Sequence, residues 1–109
     1  MSREVRIRKG KTEFIAETAE GFFEQFLGLM FSKKKNILFI IGPERTFGIH
    51  SFFVFFEFDA IYLDSKRRVV DVIKAIPPWK PYLKNNAPAV YLLELCEENN
   101  VKIGDVLEW

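Results

Sequence analysis

One cysteine, Cys96, and one histidine, His50, are all that this chain of 109 residues offers of the side chains that most often bind transition metals. A lone thiol forms no intramolecular disulfide and no multi-thiolate cluster, and scattered acids around one histidine lack the short ligand spacings of a zinc site. Neither a metal nor a cofactor is expected. The six glycines form no phosphate-cradling loop. Charge of one sign is also missing: 16 basic and 15 acidic residues leave a net charge of +1, which creates no global field for nucleic acid or anionic membrane. The longest apolar runs, Ile37 to Ile41 and Phe52 to Phe56, fall far short of the roughly 20 residues of a membrane-crossing helix. The opening Met1-Ser2-Arg3-Glu4-Val5-Arg6 alternates charge where a signal peptide needs a continuous apolar segment. With the lone thiol, this leads to the expectation of a cytoplasmic protein with no membrane partner.

What the chain does hold is apolar surface. Hydrophobic residues make up 49% of it, 12 of them phenylalanine, enough for one core and too many for a disordered chain. The expectation is a single domain over residues 1–109. The densest stretch is Phe52-Phe53-Val54-Phe55-Phe56-Glu57-Phe58-Asp59-Ala60-Ile61-Tyr62-Leu63-Asp64. Extended, it projects Phe58, Ala60 and Tyr62 to one side and Asp59, Ile61 and Leu63 to the other, so both sides need cover. It is too long for one ordinary strand and should bend near Glu57.

Val5 and Ile7 alternate with Arg6 and Arg8 before Lys9-Gly10-Lys11 leads into Thr12 to Ala16, the pattern of a hairpin. The alternation explains Arg3, Arg6, Arg8, Lys9 and Lys11 as a solvated strand face, and no nucleic-acid-reading motif accompanies them. Phe22, Phe23, Phe26, Leu27 and Met30 then share one face of a helix, with Thr18 as its N-cap and Gly28 near its end. Asn36 to Ile41 reads as a buried strand closed by the turn cluster Gly42-Pro43-Glu44-Arg45-Thr46. Asp64-Ser65-Lys66-Arg67 turns into a returning strand, Arg68 to Ile73. Ile76-Pro77-Pro78-Trp79-Lys80-Pro81-Tyr82 cannot be a central strand, because three prolines remove ladder donors. Ala89 to Glu94 is another strand, Leu95 to Asn100 a helical turn, and a turn at Gly104-Asp105 precedes a last short strand.

The order of Gly28-Leu29-Met30, Asn36-Ile37-Leu38-Phe39, His50-Ser51, Asp59 with Ile61-Tyr62-Leu63-Asp64, Leu93-Glu94-Leu95 and Gly104-Asp105 resembles that of the domain of unknown function 192 family, from about Ala16 onward. The resemblance implies a mainly β fold with a small helical part (α+β). Its architecture would be a compact β-barrel or jelly-roll-like sandwich with one principal helix near the N-terminus. It carries over no reaction, substrate or cofactor.

For chemistry, His50 and Asp59 flank the aromatic segment and could pair as acid and base, and Glu94 is a further acid. Cys96 with His50 lacks an orienting motif. No catalytic residue is assigned. Trp79 and Tyr82 sit on the proline-rich loop, where aromatic rings can close over a ligand. The leading expectation is a non-catalytic binding module for a small molecule or peptide, with His50, Asp59, Trp79, Tyr82 and Glu94 as candidate site residues. A structural protein associating through sheet edges, and an enzyme using His50, Asp59 or Glu94, are the alternatives.

Overall fold

Eight strands, and no helix, make up the regular structure of the residues that the computed structural model describes, 4–19, 35–49, 56–79 and 83–109. They are β1 (Glu4–Lys9), β2 (Thr12–Ala19), β3 (Asn36–Arg45), β4 (Gly48–Ile49), β5 (Phe58–Leu63), β6 (Val69–Ile76), β7 (Leu83–Lys84) and β8 (Ala89–Leu95). Six of them form one sheet in the order β1-β2-β3-β8-β5-β6, and β4 pairs with β7 apart from it. All neighbours in the large sheet are antiparallel except β2 and β3.

Local chemistry sets the turns. The β1–β2 hairpin brings Lys9 opposite Thr12, and Gly10 between them takes the left-handed φ of 58° that a tight reversal needs. Between β5 and β6, Asp64 Oδ1 accepts the backbone N–H groups of Lys66 at 2.9 Å and Arg68 at 3.0 Å, fixing the turn before the chain returns. The aromatic run bends at Phe56, and β5 starts two residues later.

Several expectations need correction. Thr18 caps no helix: it lies in β2, paired with Leu38 of β3, because β2 runs on to Ala19 along a parallel ladder. The expected helical stripe, Phe22 to Met30, lies outside the described residues. Gly42-Pro43 does not end β3; Gly42 takes φ 103°, and the strand continues through a register shift until Arg45 pairs with Ala89. Residues 96–100 form no helical turn. Asn side chains compete for their backbone donors: Asn36 Oδ1 accepts Cys96 N–H at 2.9 Å, and Asn99 Oδ1 accepts Val101 N–H at 3.2 Å. Nor does a barrel close. Among the described residues β1 and β6 remain the two edges of an open sheet. The C-terminal segment spans them at one end, with bridges from Glu108 to Arg8 and from Val106 to Arg68.

Alternation along the strands builds a core on each face. Ile7, Phe14, Leu38, Ile61, Leu63 and Leu93 pack on one side, covered by Val101 and Leu107 of the C-terminal segment. Trp109 completes that cover, edge-on to Tyr91 with ring centroids 5.0 Å apart and beneath the Arg67 guanidinium at 4.1 Å. Lys9 Nζ holds the segment down through Asp105 Oδ2 and the Asn100 carbonyl, both at 2.8 Å. The other face carries Phe39, Phe58, Ala60, Tyr62, Ala89 and Leu92, with Phe47 and Phe56 packed against them.

Candidate functional site

The second face is where polar groups enter the core. Glu94 lies near the end of β8, between Ile37 of β3 and Ala60 of β5, and neither of those neighbours offers its carboxyl a partner. It is 6% exposed. Burial pushes its carboxyl up to about 8, so at neutral pH it is largely a protonated, uncharged acid. Tyr62 stands opposite Leu92, two residues from Glu94 along β8. On one face of an antiparallel pair such diagonal neighbours lie about 7–8 Å apart, within reach of long side chains. Asp71 of β6 is directly opposite Tyr62.

The Tyr62 hydroxyl is fully buried and has no hydrogen-bond partner among the described residues. Burial first, then the Glu94 and Asp71 carboxylates, raise its pKa far above the usual phenol range, so it keeps its proton. Asp71 is better provided: Oδ1 accepts Val72 N–H at 2.9 Å and Oδ2 accepts Asn86 N–H at 2.7 Å. The neighbouring Asn85, 2% exposed, accepts Phe47 N–H at 2.9 Å and donates to the Ala87 carbonyl at 2.6 Å. These bonds place the Phe47 ring 5.5 Å from that of Tyr62, tilted by 55°. The Arg45 guanidinium lies 5.6 Å over the outer ring.

Asp59 is elsewhere. It falls between Phe58 and Ala60, which pack on the Glu94 side, so its side chain projects to the opposite face. There its oxygens accept Ala75 N–H at 2.8 Å, Asn99 Nδ2 at 2.8 Å and Lys74 Nζ at 3.3 Å. These bonds hold a bulge in which Lys74 and Ala75 stand opposite Asp59, with Ala75 at φ 55°. Asp59 also borders a cleft of about 310 Å³ with Cys96, Glu97 and Glu98. A second cleft of about 500 Å³ involves Glu17, Lys35, Asn36, Cys96 and Glu97. Trp79 is 48% exposed on a turn at φ 66°. His50 and Tyr82 lie outside the described residues.

Of the candidates named from sequence, the fold therefore separates Glu94 from Asp59. It joins Glu94 to two residues that sequence reading missed as site groups, Tyr62 and Asp71. The available signal was alternation: Ala60 and Tyr62 share a side, and Glu94 is a lone acid in an apolar strand. Nothing in the sequence gave the register that brings them together.

Comparison with known proteins gives a consistent picture. The DUF192 family, described as an uncharacterized ACR, matches residues 4–109. A UPF0127 protein of Pyrococcus furiosus is 34% identical over 96% of both chains, and one of Pyrococcus horikoshii is 39% identical over 84% of both. A crystal structure of a protein of unknown function from Novosphingobium aromaticivorans is similar with a TM-score of 0.81 at 23% identity, covering 99% of this chain and 85% of that one. At that identity the structural likeness speaks for the fold alone, while the match along nearly the whole sequence shows that the chain belongs to the DUF192 family.

Proposed function

We propose that this chain is a non-catalytic binding module for a small molecule, seated on the sheet face that carries Phe47, Tyr62, Asp71 and Glu94. The observation that carries the reading is the Tyr62 hydroxyl, fully buried without a partner among the described residues and close to the buried, uncharged carboxyl of Glu94. Leaving a buried hydroxyl unsatisfied costs about 1–3 kcal/mol. A purely structural core would be served as well by Phe and Leu at these positions. A ligand with complementary polar atoms offsets the cost, and the aromatic surroundings supply apolar contact. A sheet face suits a small molecule better than a peptide, which would pair along an edge. A cytoplasmic home belongs to the same proposal, supported by the single thiol of Cys96.

The test is a thermal-shift screen of small molecules, with hits confirmed by native mass spectrometry and repeated on Tyr62→Phe and Trp79→Ala. The expected result is a stabilising compound whose effect is lost in Tyr62→Phe. Hits that Tyr62→Phe leaves unchanged would move the site elsewhere, to the proline-rich turn if Trp79→Ala abolishes them.

A further inference from the structure

We propose that the ligand of this face is an organic cation, a protonated amine on an aromatic or aliphatic body, which takes the place of the proton on Glu94. The inference rests on the binding reading above and names the chemistry of its ligand. Among the described residues, charge on this face is one-sided. In the row across the sheet, Glu17 of β2, Ile37, Glu94 and Ala60 follow one another in register. Tyr62 and Asp71 flank that row from β5 and β6. Phe39, Ile73 and Leu83 bring only apolar surface to it.

Among the described residues, the cations near it are engaged. Lys35 sits 2.6 Å from Glu17, about 10 Å across two strand spacings from Glu94. Arg45 is exposed and lies over the Phe47 ring. Among the described residues, what remains for an incoming group is a carboxyl with no ion pair, a carboxylate already bonded to two N–H groups, and a phenol oxygen with free lone pairs. Three acceptors grouped by strand register on one sheet face match the three donors of an ammonium. Phe47, Phe56 and Tyr62 supply aromatic surface beside it.

The exchange is balanced in charge. Glu94, protonated when the site is empty, releases its proton to solvent as the ammonium arrives, and the site gains no net charge. Because the carboxyl titrates near 8, amine affinity should fall about tenfold for each pH unit below that value. An uncharged analogue should bind with no such slope.

The experiment is isothermal titration calorimetry of the full chain with 2-phenylethylamine and its uncharged counterpart 2-phenylethanol. Titrations between pH 6 and pH 9 would use buffers of different ionisation enthalpy. The expected result is tighter binding of the amine, about one proton released per amine at pH 7, and loss of both the proton release and the pH slope in Glu94→Gln. Equal binding of amine and alcohol without proton release would overturn the cation and leave the binding module standing. No binding of either, together with an empty thermal-shift screen, would remove both readings. Wild-type titrations alone distinguish these outcomes if Glu94→Gln fails to fold.

Discussion

Among the described residues, three other than glycine hold left-handed backbone, Arg67 at φ 64°, Ala75 at φ 55° and Trp79 at φ 66°, a conformation that costs an L-residue roughly 1–2 kcal/mol. The strain is held in place differently at each. Ala75 is exposed, and its backbone is fixed by Asp59 through its N–H, not by its methyl group. Ala75→Gly should therefore stabilise by about 0.5 kcal/mol, the relief exceeding the entropy that glycine adds to the unfolded chain. Arg67→Gly relieves the same strain but loses the guanidinium's stacking on Trp109 and its hydrogen bond to the Trp109 carbonyl. It should destabilise by about 1–2 kcal/mol. Urea denaturation of the two variants checks the opposite signs. Neither residue could be singled out from sequence, since the polar turn at Asp64 to Arg67 was legible but which of its residues bends left-handed was not. Ala75 lay within an apparently regular strand.

At the scale of elements, the strands that alternate were legible and their partners were not. Phe58, Ala60 and Tyr62 do share a face, and Ile61 and Leu63 the other, because a period of two needs no tertiary information. Thr18 was misread because β2 continues along a parallel partner beginning 17 positions later, a pairing that leaves no local mark. The end of β8 was misread because Asn36, distant in sequence, decides it. Its Nδ2 donates to the Ile15 carbonyl at 3.0 Å and to Glu97 Oε2 at 2.6 Å, and its Oδ1 accepts Cys96 N–H. One buried amide thus joins β2, β3 and the exit of β8. Asn36→Leu keeps the size and removes these bonds, together with the one from Cys96 Sγ, so it should cost about 2–3 kcal/mol, the desolvation of groups left buried without that partner. Hydrogen exchange should speed up first at Cys96, ahead of the β5–β6 hairpin. Uniform acceleration across the sheet would instead mean that Asn36 supports global stability and not this junction.

The whole molecule should show an acid limb and an alkaline limb in its stability, arising on opposite faces. Lys9 donates to Asp105 and, with Lys102, holds that carboxyl below its ordinary range. A depressed carboxylate stabilises above its unfolded value, and the contribution is lost as pH falls through the folded one. Glu94 works the other way. Its folded pKa of about 8 lies above its unfolded value of 4.5, so the folded state holds the proton more tightly and the stability is complete below about 4.5 and lost as pH rises through about 8. At about 1.4 kcal/mol per pKa unit, the ligand-free protein should lose several kcal/mol between those limits, with a maximum at roughly pH 4 to 5. Glu94→Gln, which keeps shape and hydrogen-bonding atoms without an ionisable proton, should flatten the alkaline limb and be more stable than wild type at pH 8. Lys9→Ala should shift only the acid limb. Chemical denaturation at unit pH steps from 3 to 9 measures all three profiles. A wild-type profile flat from pH 5 to 8 would show that Glu94 ionises without cost, and that its carboxylate already has a counter-ion in the folded protein.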